Sequence, residues 1–342
     1  MNDSGDPSAK WPSVKPDARG WRIWLRWWAG AFGATLIGAY VCILLVDPFA
    51  TGRFALTQRI DITSQNTRLA KAGLVRDPQF DAAIFGNSTS FGVDPAAIGA
   101  GIGHRVVALG MSLAMPADQM MMVRLFAKRH PGVAAVNIFA LDDLWCRPGS
   151  PAENPAIEFP SWLYVGSDWD YLSHIFFVGA LDAALTRIGI WLDLRPQDER
   201  SDGFGSQAKA DAAGADAAFR GQRPVAGVPA SAPFPAIDAL SALLDDLPSD
   251  STAVLVFLPV FITGLPADGS PAAARLDACK ARLQEVVGRR PRERAYVDLR
   301  IDNALVRDTG NFIDPIHFRG RVSGWVAAET VRAFSTRNAG QM

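Results

Sequence analysis

The sequence predicts an α/β protein: a single N-terminal transmembrane helix followed by a three-layer α/β/α domain on a five-stranded parallel sheet. Three observations carry this. Residues 27–46 form a run of 20 residues without a charge. Five short apolar runs follow, with stretches of helical character between most of them. A final run, 322–334, places Val322, Trp325, Val326 and Val331 at helical spacing, as a helix covering one face of a sheet would require.

The N-terminal run, WWAGAFGATLIGAYVCILLV, is about 30 Å long as a helix, one hydrocarbon core. Trp21, Trp24, Trp27 and Trp28 crowd its start, where indole rings favour the membrane interface. Lys10, Lys15, Arg19, Arg22 and Arg26 precede it, which places the N-terminus in the cytoplasm and the rest of the chain outside. The expected location is the inner (cytoplasmic) membrane, with a periplasmic or other extracytoplasmic C-terminal domain. A cleaved signal peptide is the rival, but the stretch is long for one and no clear A-x-A site follows. A buried core helix is the other.

The expected division is a disordered cytoplasmic tail at 1–20, a membrane helix at 21–46, a linker and the start of the ectodomain at 47–77, and the α/β domain at 78–342. The strand candidates are FDAAIF (80–85), HRVVAL (104–109), AAVNIFAL (134–141), AVLVFLP (253–259) and RAYVDL (294–299). Near-continuous apolar strands alternating with helices imply a parallel sheet covered on both faces. An insertion at about 150–235 separates the third and fourth. Its first part, 159–192, is aromatic and then helical. Its second, roughly 195–234, is rich in Ala, Gly, Asp, Ser and Pro and reads as a mobile loop.

The chain has 342 residues, 49% of them hydrophobic, and a formal charge of −1. That suits one larger domain or two small ones, and the absence of a basic excess argues against a nucleic-acid partner. Cys42, Cys146 and Cys279 lack metal-ligand spacing, so no metal site is expected. They read as isolated small hydrophobes, with a Cys146–Cys279 disulfide the alternative in an oxidising compartment. No cofactor is implied: no G-x-G-x-x-G follows the first strand and no Walker A sequence is present.

Ligands of an open parallel sheet bind at the carboxyl ends of its strands. After the first strand comes GNSTSFG, with Gly86, Asn87 and Ser88. Gly86 permits a tight turn, and Ser88 can present its hydroxyl above the sheet edge. The bland reading of Asn and Ser there is turn and N-cap chemistry. After the second strand comes LGMS, with Gly110 as a backbone N–H donor or a plain turn residue. After the fifth comes NFIDPIHF, with Asp314 and His317. A neutral imidazole can take the proton of a serine, and a carboxylate on its far nitrogen fixes the tautomer.

Taken together, these motifs resemble the SGNH, or GDSL-like, hydrolase superfamily, whose domain is of this SGNH/flavodoxin-like α/β type. AIFGNSTSFG is similar to its first block, with Asn87 in place of the usual aspartate. Gly110 matches the second block and DPIH the last. Within the superfamily, the anchor, STSFGVDP and DPIHFRG resemble membrane-anchored extracytoplasmic proteins linked to polysaccharide O-acetylation, such as the alginate acetylation proteins. The resemblance implies an esterase or O-acyltransferase, with acetyl the expected acyl group, acting on cell-envelope or exopolysaccharide glycan. Ser88, His317 and Asp314 would form the triad, and the backbone N–H groups of Ser88 and Gly110 the oxyanion hole. It implies the bilayer as a partner through residues 27–46, a glycan substrate, and a membrane-embedded acyl donor protein.

One departure stands out. The family's third block ends its strand with an Asn that completes the oxyanion hole. Here the strand ends FALDDLW, with Asp142 and Asp143, and Asn137 lies about four residues earlier. Either the aspartates cap the next segment, or the acceptor chemistry differs, or the protein is a catalytically inactive glycan-binding or assembly factor. The insertion adds Phe159, Trp162, Tyr164, Trp169 and Tyr171 beside Asp168 and Asp170. With Asn87, the residues Trp162, Tyr164 and Trp169 are substrate-binding candidates. The duller reading is a segment packing its aromatics on the domain or the membrane surface.

Overall fold

The computed structural model describes residues 18–57, 59–63, 66–132, 135–149, 157–197, 200–204 and 228–339. Residues 1–17 of the expected N-terminal tail and the centre of the 195–234 loop lie outside them, while 18–20 belong to the first helix. The first helix, α1 (Ala18–Val46), is long and apolar enough to cross a membrane. Most of its side chains are exposed, Trp27 at 77% and Ile37 at 66%, as a lipid-facing helix requires and a core helix does not allow. Among the described residues, only its C-terminal end is covered. Ile43 and Val46 are buried, and the Tyr40 hydroxyl donates to the Leu172 carbonyl at 2.8 Å.

Residues 47–77, expected as a linker and the start of the ectodomain, include a helix packed on the folded domain. Helix α2 (Thr67–Leu74) is capped by Asn66 and buries Ala72 and Leu74. Arg68 forms a buried ion pair with Asp118 at 3.2 Å.

Five parallel strands follow: β1 (Ala82–Phe85), β2 (Val106–Ala108), β3 (Val136–Leu141), β4 (Thr252–Phe257) and β5 (Arg294–Asp298). Their order is β2-β1-β3-β4-β5. Four lie within the predicted apolar runs, and β4 begins one residue before its run, at Thr252. Successive side chains alternate between two cores, because the strand period is two. Ala83, Phe85, Phe139, Leu141, Leu255 and Phe257 face one layer; Ala82, Ile84, Ile138, Ala140, Val254 and Val256 face the other.

The second layer is α3 (Pro95–Ile102) and the C-terminal helix, Gly320–Ala339, which buries Val322 and Val326 against β4 and β5. The first is built largely of α4 (Pro116–Arg129) and the helices Pro235–Asp246 and Pro271–Gly288. Proline opens four of these helices, at 95, 116, 235 and 271, where its missing N–H costs nothing.

The insertion contributes α5 (Ser161–Tyr164), α6 (Asp168–His174) and α7 (Val178–Trp191). Buried Arg187 of α7 ties them to the exit of α1. Its guanidinium donates to the carbonyls of Val46 (3.0 Å), Asp47 and Arg59, and to Asp61. Part of the expected mobile loop is seated on the sheet. The Ala108 N–H donates to Asp202 at 2.8 Å, so residues 200–204 cover the open edge of β2.

The reading of Cys146 and Cys279 as isolated hydrophobes is corrected. They are disulfide-bonded, with Cα atoms 5.5 Å apart across 133 residues of sequence. The 3-10 turn after β3 (Asp143–Cys146) packs on the helix Pro271–Gly288, and Arg275 of that helix donates to the Cys146 carbonyl at 2.7 Å. Cys42 is free.

Candidate active site

The strand order reverses direction between β1 and β3, and in doubly wound sheets the crevice at that switch point is where ligands bind. The chain leaving β1 turns at Gly86 and Asn87 into a 3-10 helix, Ser88–Gly92. The Asn87 side chain caps it, accepting from the Thr89 N–H at 3.0 Å and the Thr89 hydroxyl at 2.8 Å. This leaves Ser88 at the first helical position, half-buried.

Two glycines make this turn possible. A Cβ at Gly86 would sit 2.6 Å from the Ser90 Cβ, and one at Gly110 would sit 2.2 Å from the Ser90 hydroxyl. Ser90 fills the space between the two glycines and fastens itself to the Asn87 carbonyl at 2.7 Å. The Met111 N–H in turn donates to the Gly86 carbonyl at 3.1 Å, locking the loop after β2 to the turn after β1. The N–H groups of Ser88 and Gly110 donate to no atom among the described residues.

Asp314 and His317 arrive from the far end of the chain on a short looped-back segment. Phe312 and Phe318 bridge each other as antiparallel backbone and are fully buried on either side of it. The Ile313 N–H closes onto the His317 carbonyl at 2.8 Å, and the Phe261 N–H of the loop after β4 holds the Pro315 carbonyl at 2.9 Å. The Asp314 carboxylate accepts the N–H groups of Ile316 and His317, both at 2.9 Å, through one oxygen. The other oxygen meets His317 Nδ1 at 2.6 Å. His317 Nε2 lies 2.9 Å from Ser88 Oγ. Ser88, His317 and Asp314 therefore form one hydrogen-bonded chain, across 229 residues between serine and histidine.

Partial burial alone would raise the Asp314 carboxyl; the hydrogen bonds from His317 and the two backbone N–H groups outweigh it and hold the group below the usual carboxylate range. An ionised Asp314 keeps the proton of a neutral His317 on Nδ1 and leaves Nε2 as the acceptor facing the Ser88 hydroxyl.

Neither of the aspartates that end β3 is an oxyanion donor. Asp142 caps the Asp143–Cys146 turn, accepting from the Leu144 N–H at 3.0 Å, and accepts from the Asn87 amide. Burial pushes its carboxyl up to about 6, against the hydrogen bond from Asn87 and with the help of the Asp143 charge. Asp143 turns away to pair with Arg300. Asn137 sits in mid-strand with its amide toward the Ala135 and Thr252 carbonyls at 3.3 and 3.4 Å. Beside Ile316, a cavity of about 180 Å³ opens between Val260, Arg300 and the disulfide.

The substrate-binding candidates are not brought together at Ser88. Asn87 has its side chain committed to the cap and to Asp142. Tyr164 is fully buried and donates its hydroxyl to the Arg68 carbonyl at 2.6 Å, so it presents no face to a sugar. Trp162 packs among Tyr171, His174 and Phe177, and Trp169 stands 77% exposed on α6. The Asn87–Asp142 bond and the Ser90 wedge were not anticipated. The consecutive aspartates and the two glycines were the only signals in the sequence.

No protein-family model matches this chain, and no curated protein sequence matches it.

Proposed function

We propose that the protein is a membrane-anchored, extracytoplasmic acyl-ester enzyme of SGNH-like type. The observation that carries the reading is the Ser88–His317–Asp314 chain at the carboxyl end of β1. Ser88 Oγ attacks the acyl carbonyl carbon while His317 Nε2 takes its proton. The N–H groups of Ser88 and Gly110 receive the negative oxygen of the tetrahedral intermediate. The ester C–O bond then breaks, and His317 returns the proton to the leaving alcohol. The acyl-Ser88 intermediate is discharged by an acceptor whose proton His317 removes and passes back to Ser88.

Water as acceptor makes an esterase; a sugar hydroxyl makes an O-acyltransferase. A site tethered beside the bilayer favours envelope glycan as the acyl acceptor or substrate. The disulfide agrees with an oxidising compartment, and the basic residues before α1 agree with a cytoplasmic N-terminus. The test is hydrolysis of p-nitrophenyl acetate by the full chain. The account expects turnover that disappears in Ser88→Ala and His317→Ala; turnover unchanged in both rejects it.

A second reading is favoured by Asp142, whose carboxyl stands at the end of β3 next to Asn87. On that reading the domain retains the serine turn as a non-catalytic glycan-binding or assembly factor. A folded wild type without acyl chemistry, retaining affinity for an acetylated glycan, would favour it.

A further inference from the structure

Among the described residues, much of the apolar surface of α6 and α7 is left exposed. Trp169, Leu172 and Phe176 recur at three- and four-residue spacing, while Tyr171 on the opposite side plugs the core. On α7, Val178, Leu185 and Leu192 repeat every seven residues and are 85%, 56% and 62% exposed. Leu181 and Ile188, between them, are half-buried against the core. Together the two helices are long and apolar enough to cross a membrane, yet they meet at 96°, so they form an elbow rather than a straight span.

The elbow sits beside α1 at a definable depth. The Tyr40 hydroxyl reaches the Leu172 carbonyl at 2.8 Å, and its ring lies 5.5 Å from that of Phe176. Tyr40 precedes Val46, the last residue of α1, by six residues, or about 9 Å along the helix. Further along α7, Arg187 donates to the Val46 carbonyl at 3.0 Å. Thus α7 climbs obliquely from the level of Tyr40 to the level at which α1 ends. If α1 fills a hydrocarbon core of about 30 Å, Phe176 and Val178 lie inside its outer half. Exposed His174 lies between Leu172 and Phe176, its Nδ1 2.8 Å from the Asp170 carbonyl, and exposed Asp182 stands one turn beyond Val178, nearer the level at which α1 ends, where headgroups can solvate it.

We infer that the α6–α7 elbow is inserted in the outer leaflet, a second membrane contact that fixes the tilt of the domain over the bilayer. The occupant of the surface is lipid, and the inference rests on the reading of α1 as the membrane span. Anchored at two points, the domain holds one orientation instead of swinging on a single tether.

Nitroxide labels in the full chain, reconstituted in phosphatidylethanolamine–phosphatidylglycerol vesicles, test this. In a Cys42→Ser background, labels are placed one at a time at Val178→Cys, at Ile37→Cys in α1, and at Gln284→Cys on the exposed side of the ectodomain. Collision with oxygen is compared with collision with a water-soluble nickel chelate. The inference expects the oxygen-to-nickel ratio at Val178 to match Ile37 and to exceed Gln284 severalfold. A Val178 label as aqueous as Gln284, with Ile37 still in hydrocarbon, overturns the inference and leaves the anchor intact. An aqueous Ile37 removes the anchor reading and the inference with it. Spin–spin broadening at Val178 that vanishes on dilution with unlabelled chain assigns the surface to a second copy and also overturns it.

Discussion

Replacing Asp142 by Asn reverses its effect on stability as pH changes. The carboxyl rises from an ordinary 3.8 to about 6 in the folded chain, mainly through burial. Between those values the folded state holds a proton that the unfolded state has released. The stability associated with the protonated group is therefore complete below pH 3.8 and is lost as pH rises through about 6. At ~1.4 kcal/mol per pKa unit, the ionised carboxylate costs about 3 kcal/mol at neutral pH.

Asn in its place never ionises but fits less well. Its Oδ1 can still accept the Leu144 N–H, but its amide then meets the Asn87 amide, donor against donor. Turning Asn87 over would sacrifice the two bonds it accepts from Thr89. The mismatch costs roughly 1–2 kcal/mol. Urea unfolding of the full chain in mild detergent should then find Asp142→Asn less stable than wild type by roughly 1–2 kcal/mol at low pH and more stable by roughly 1–2 kcal/mol at neutral pH. A difference that stays constant over that range refutes the claim that Asp142 is ionised against its environment.

Three further outcomes follow from the site. In Asp314→Asn, Oδ1 keeps the Ile316 and His317 N–H bonds but the amide fixes the wrong histidine tautomer; ester turnover should fall by about 10³–10⁴-fold with little change in urea midpoint. A Gly110→Ala methyl arrives 2.2 Å from the Ser90 hydroxyl, so the turn must shift; unfolding should report a loss of about 1–3 kcal/mol and turnover should fall with it. Reduction of Cys146–Cys279, which spans 133 residues, should lower stability by about 2–5 kcal/mol in denaturant titrations with and without reductant.

The sheet was legible because parallel strands buried on both faces leave runs such as AVLVFL, and all of β4 but its first residue lies in that one. The C-terminal helix was legible because Val322 and Val326 keep helical spacing. Candidates Ser88, Gly110 and His317 could be proposed because each follows a strand, and strand ends in such sheets converge on one edge. The disulfide was not legible: its partners come from separate elements, and only the packing of the β3 exit on the helix Pro271–Gly288 brings them together. The aromatic cluster left a ligand-facing and a packing reading open for a related reason. Composition cannot tell a ring that faces a ligand from one that fills a core, and Tyr164 and Tyr171 fill the core. The opposing carboxyl of Asp142 was visible as a departure, but its bond to Asn87 joins the ends of two strands and required the fold.

The most direct measurement of the central claim is covalent trapping. The full chain is treated with a fluorophosphonate, and the modified residue is located by peptide mass spectrometry. The account predicts a single adduct on Ser88, formed more slowly when His317 is replaced by Ala. A folded protein that takes no adduct there, or takes it on another residue, contradicts the assignment of Ser88 as the nucleophile.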